Sequence, residues 1–107
     1  MKVYIYVDES IFCGSHGIYD VCVAEVNDFE EAREISTEMG EELYYTYEHV
    51  FSNSDYDEEE HYVNTCIWTI KDEYQNISIK ELDSICAESD YKDFIKNYCE
   101  ECLWENL

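Results

Sequence analysis

Three stretches of this chain alternate in β-favouring residues, and they constrain its fold more than anything else in it. In VYIYV, Val3, Ile5 and Val7 alternate with Tyr4 and Tyr6. GIYDVCVAEV from Gly17 to Val26 repeats the character, and in HYVNTCIWTIKDE the residues Tyr62, Cys66, Trp68 and Ile70 face one way while Val63, Thr65, Ile67 and Thr69 face the other. A period of two puts successive side chains on opposite sides of a strand, so each run reads as a strand. The connection ESIFCGSHG carries two glycines and two serines and suits a hairpin longer than a tight turn, which makes the first two strands an antiparallel pair.

Between the second and third strands the period changes. Phe29, Ala32, Ile35, Met39, Leu43, Tyr47 and Val50 recur at spacings of three and four, the mark of an amphipathic helix. Asn27 or Asp28 serves as its N-cap, each followed three residues later by a glutamate, and acids crowd the first turn where the helix dipole favours them. SNSDYDEEE follows as an acidic loop. Ser78-Ile79-Lys80-Glu81 fits a capping box and opens a short helix to about Glu88. Asp90 opens another through DYKDFIKNYCEECLW, with Phe94, Ile95, Tyr98, Cys102 and Leu103 as its apolar stripe. The expected order is ββαβαα: an α+β fold with a small antiparallel sheet of about three strands, packed on one face by one long and two shorter helices. At 107 residues it is expected to form one domain, residues 1–107.

Charge narrows the function. Twenty-seven Asp and Glu against six Lys and Arg give a net charge of −21, while 46% of residues are hydrophobic and 16% aromatic, which points to a folded chain rather than an acidic disordered tail. So much charge of one sign destabilises a compact domain by self-repulsion, which argues for a basic partner that the surface serves. Direct nucleic-acid binding is excluded on this reading, because the six cations are scattered from Lys2 to Lys96. Anionic membranes are disfavoured by the same repulsion, and no run approaches the ~18 apolar residues of a spanning helix. With one lysine and only five apolar residues before the first acids, the N-terminus does not read as a secretory signal, so a cytoplasmic location is expected. The cysteines are then expected as free thiols, with Cys22 and Cys66 as small core residues.

The long helix carries the site. Glu30, Glu34, Glu38, Glu41 and Glu42 share a side, with Arg33 the only counter-charge. Residues four apart on a helix are ~6 Å apart along its axis, close to the spacing of phosphates along one nucleic-acid strand. A surface shaped for stability would place lysine four residues after glutamate, whereas this one accepts like-charge neighbours. Eleven tyrosines add a second signal, since tyrosine buries area while keeping a polar tip. The expected partner-binding residues are Glu30, Glu34, Glu38, Glu41, Glu42, Tyr44 and Tyr45 on the helix, with Asp55, Tyr56, Asp57, Glu58, Glu59 and Glu60 in the loop.

Two chemical alternatives compete. Cys13-Gly-Ser-His16 and Cys99-Glu-Glu-Cys102 are a CxxH and a CxxC that could combine as a four-ligand zinc site, although cysteines three apart in a helical pattern can simply pack; no metal or cofactor is expected. Nucleophilic catalysis is disfavoured because an acidic field raises thiol pKa, and no enzyme activity is expected. The opening VYIYVDES resembles the first strand of ribonuclease-H-like nucleases, and particularly the YIDES start of a family of uncharacterised phage and bacterial proteins. That resemblance implies a two-metal site using Asp8, Glu9 and Asp20, against which stands the repulsion between −21 and an anionic substrate.

The combination of small size, acidity, interleaved aromatics and absence of proline resembles the nucleic-acid mimics that phages and mobile elements use against restriction and CRISPR enzymes. The resemblance is one of class. It implies an inhibitor in the bacterial host cytoplasm that occupies the basic nucleic-acid channel of a protein or ribonucleoprotein complex. The alternative reading is an acidic adaptor that binds a basic protein, such as a partner toxin; association with a second copy is compatible with either.

Overall fold

The computed structural model describes residues 1–10, 17–46 and 62–106. In chain order these form β1 (Lys2–Ser10), β2 (Gly17–Glu25), α1 (Phe29–Thr46), β3 (Tyr62–Ile70), a 3-10 turn (Asp72–Tyr74), α2 (Ile79–Glu88), α3 (Tyr91–Tyr98) and β4 (Cys99–Asn106). The strands make one antiparallel sheet in the order β2-β1-β3-β4. The fold is α+β, with four strands among the described residues where the sequence leads one to expect about three. Among the described residues no helix is long and apolar enough to cross a membrane.

β1 is flanked by strands on both sides, with Ile5 opposite Cys22 of β2 and Ile67 of β3. Both of its faces are apolar, so both must be covered. Val3, Ile5, Val7 and Ile67 pack with Val26 and with Ala32, Met39 and Leu43 of α1 on one side. Tyr4, Val23, Ile70 and Cys99 pack with Leu82 and Cys86 of α2 and Phe94 of α3 on the other. The expectation of helices on one face is therefore corrected. Tyr4, which the alternation placed opposite the aliphatic residues, is fully buried and stacks against Phe94 at 4.7 Å between ring centroids. Its second face could not be left to solvent when burying such a side chain stabilises by ~2 kcal/mol.

The larger correction is β4. The expected helix from Asp90 through Trp104 ends at Tyr98, because Cys99 turns extended at φ −105, ψ 153. Thereafter Ile70 faces Cys99, Trp68 faces Cys102, Ile67 faces Trp104 and Cys66 faces Glu105, with register shifts on either side of Trp68. The helical stripe of Cys102 and Leu103 was a coincidence of spacing. Without a neighbour on that side β3 would leave buried backbone groups unpaired, and pairing with β4 overrides a weak helical preference.

Local signals decide where the helices begin. The Asp28 carboxylate accepts from the backbone N–H of Glu31 at 2.9 Å, while Glu31 in turn accepts from that of Asn27 at 2.9 Å, so Asp28 is the cap of α1. Ser78 Oγ accepts from Glu81 N at 3.2 Å and starts α2 as the capping box implied. A tie that the sequence reading missed is Gln75. Its side-chain oxygen accepts from Lys2 N at 2.8 Å and its amide donates to the Ile70 carbonyl at 2.7 Å, pinning the segment after β3 to the start of β1.

Candidate partner-binding surface

α1 packs its Ala32, Met39 and Leu43 side onto the sheet and turns the opposite side outward. At ~100° per residue, Glu30, Glu34, Glu38 and Glu41 fall within an arc of ~80°, and at ~1.5 Å rise per residue they span ~16 Å of axis. All four are exposed. Together with Arg33 and Thr37 they line one shallow groove. Glu42 is also exposed, beside this arc, whereas Glu31 is drawn into the N-terminal cap.

The one cation on the helix relieves only the N-terminal end of the row. Arg33 Nη1 lies 3.6 Å from Glu30 Oε1, and its guanidinium sits over the Trp104 ring at 4.6 Å. Trp104 itself packs beside Phe29 with ring centroids 6.3 Å apart. The charge of Arg33 is thus committed to the N-terminal end, where Glu30 and the β4 aromatic hold it, and Glu34, Glu38 and Glu41 extend beyond it. The last turn of α1 carries no basic residue, so Glu41 and Glu42 lie toward the negative end of the helix dipole. Six glutamates against one arginine make α1 a strip of one sign.

Of the other expected contact residues, Tyr44 and Tyr45 fall on the described backbone of α1, while Asp55, Tyr56, Asp57, Glu58, Glu59 and Glu60 lie outside the described residues. A second acidic region is built from β4 and the turn before α2, and its Glu100, Glu101 and Glu105 are among the C-terminal acids that the sequence offers as a supplement to the helix row. Glu100 and Glu101 are exposed on β4 beside the exposed Asp72 and Glu73 of the 3-10 turn, with Lys71 among them, and Glu105 is exposed toward the other end of the strand. Its assembly depends on β4 being a strand.

The competing chemical sites come apart. Cys99 is buried in the core and Cys102 is exposed, so the CxxC pair does not share the helical face that its spacing suggested. Cys13 and His16 lie outside the described residues, and among the described residues no cluster of three or more His, Cys, Asp or Glu is arranged to hold a metal. Burial pushes the thiols of Cys22 and Cys99 up to about 12 and those of Cys66 and Cys86 up to about 11, which opposes thiolate chemistry. Asp8 and Asp20, the carboxylates of the nuclease-like reading, are on opposite faces of the sheet. Asp20 stands across from Val7 on the α1 side. Asp8 follows Val7 along β1 and so points to the other side, where its charge acts on Tyr6 and Cys66.

Comparison with protein-family models, with curated proteins and with solved structures finds no match to this chain.

Proposed function

We propose that this protein is a binding inhibitor whose α1 carboxylate row takes the place of a nucleic-acid backbone in the basic channel of a partner, a CRISPR or restriction effector in the reading its composition suggests. The observation that carries this is the outward arc of Glu30, Glu34, Glu38 and Glu41 on α1, exposed over ~16 Å and countered, among the described residues, only by an arginine that sits against Glu30 and Trp104. Carboxylates so placed meet the Lys and Arg that would otherwise contact phosphates, giving fast, steered association that weakens steeply with salt. The site residues are Glu30, Glu34, Glu38 and Glu41, with Glu42, Tyr44 and Tyr45 continuing along the same helix.

Co-purification from a bacterial lysate identifies the basic complex, and competition tests the mechanism. Excess DNA or RNA should displace the protein from that complex, and the protein should block loading of nucleic acid in return. If saturating nucleic acid leaves the complex intact, the acidic surface serves an ordinary basic protein partner and mimicry is wrong.

A further inference from the structure

We propose that the outer edge of β4 accepts an extended, basic segment of a partner protein as a fifth strand of the sheet. Among the described residues the sheet order leaves two edges, β2 and β4, and they are finished differently. β2 pairs with β1 alone, so donors that do not meet β1 point outward. Two of these are closed by carboxylates: Val21 N–H donates to Asp20 Oδ1 at 2.9 Å, and Val23 N–H donates to Asp83 Oδ1, which reaches over from α2, at 3.3 Å. On β4 the only side-chain acceptor for a backbone N–H among the described residues is Thr69 Oγ1, which takes Glu101 N–H at 3.1 Å from the β3 side. Among the described residues the outward N–H groups of β4 thus meet no side-chain acceptor, and of its carbonyls that of Trp104 takes the Cys102 thiol at 3.5 Å.

Charge decides what can pair there. Glu100, Glu101 and Glu105 are exposed along β4, and a recess at its start is shared by Met1, Thr69, Ile70, Asp72, Gln75, Glu100 and Glu101, with the Met1 ammonium bonded to Glu25 and Lys71 beside Asp72, Glu73 and Glu100. A second copy pairing through the same edge would bring these glutamates against one another, and like charges directly opposite across a strand pair are destabilising. A strand carrying Lys or Arg meets them instead, with backbone hydrogen bonds supplying affinity and the acidic recess supplying preference for a cation. Charge on an edge deters indiscriminate pairing, and an excess of one sign favours a partner of the other. The edge is distinct from the outward arc of α1, so the two surfaces can be tested separately.

The probe is a ten-residue peptide of alternating lysine and threonine, titrated into the full chain at low salt and followed by amide NMR and hydrogen exchange. Backbone amides from Glu100 to Glu105 should shift and exchange at least tenfold more slowly. The same peptide N-methylated at alternate residues keeps its charge but cannot extend the ladder, and should bind at least tenfold more weakly. The double variant Glu101→Lys with Glu105→Lys should lose the peptide while keeping its other amide shifts, and a Glu30, Glu34, Glu38, Glu41→Gln variant should bind it within about twofold of the parent. Equal binding of the methylated peptide, shifts confined to α1, or no binding would overturn the proposal. So would a salt-stabilised dimer with protected β4 amides, which would make a second copy the occupant.

Discussion

Reversing one charge on the outward arc of α1 should stabilise the fold and weaken partner binding together. Glu38 has Glu34 one turn before it and Glu41 and Glu42 one turn after, all exposed. Each like-charge pair at such spacing costs ~0.2–0.5 kcal/mol and each opposite pair gains as much, so Glu38→Lys changes three pairs by a ceiling of ~1–3 kcal/mol. Solvent screening of exposed charges reduces that to ~1 kcal/mol at moderate salt. In a domain of this size that is a rise in Tm of about 4 °C or somewhat more. Glu38→Gln removes repulsion without adding attraction and should deliver about half. The assay is thermal unfolding by circular dichroism in 20 mM and 1 M salt, alongside affinity for the captured partner. In 1 M salt, with a screening length of ~3 Å, the gain should nearly vanish. A variant no more stable than the parent at low salt, or a gain that ignores salt, would refute the reasoning that these glutamates repel one another and are kept for something other than stability.

Alkali should unfold the protein through its buried thiols. Cys22 and Cys99 rise to about 12 and Cys66 and Cys86 to about 11 from an ordinary 9.0, and burial raises Tyr4 and Tyr6 as well. Because the folded values are raised, their contribution is fully present below pH 9 and is lost as pH climbs toward 11–12. Urea midpoints should hold from pH 7 to 8.5 and fall above 9; an unchanged midpoint at pH 11 would contradict the burial. Among the described cysteines, alkylation of the native protein at pH 8 followed by peptide mass spectrometry should label Cys102 first and Cys22, Cys66, Cys86 and Cys99 only on unfolding, since Cys102 alone is exposed. Phe94→Ala should cost ~3–5 kcal/mol by chemical denaturation, since Phe94 is fully buried between Tyr4 and Tyr98 with ring centroids at 4.7 and 5.1 Å. A loss below ~1 kcal/mol would mean that the α2 and α3 side of the sheet is not a packed core.

The fates of two short segments show where the sequence is informative. Ser78 to Glu88 was legible to the residue, because a cap and the turn it closes lie within a few positions of one another and their hydrogen bonds are local. CEECLW was misread as helix because its apolar residues recur at helical spacing; what makes it a strand is β3, roughly thirty residues away in sequence. The strand, and not a helix, brings Glu100 and Glu101 together with Asp72 and Glu73. The glutamates of α1 were legible because the apolar stripe alone fixes which arc faces outward.

By itself, then, the sequence determined the three alternating strands, the start of α1 to within Asn27 or Asp28, the cap of α2, the charge, and the acidic arc opposite a helical stripe, all properties of period, composition or near neighbours. The tertiary structure alone decided that β1 sits inside the sheet with helices on both faces, that β4 closes one side of it, and that Arg33 spends its charge on Glu30 and Trp104. Those outcomes depend on which distant segments compete best for the same backbone groups and apolar faces, and a chain reveals the winner of that competition only when it folds.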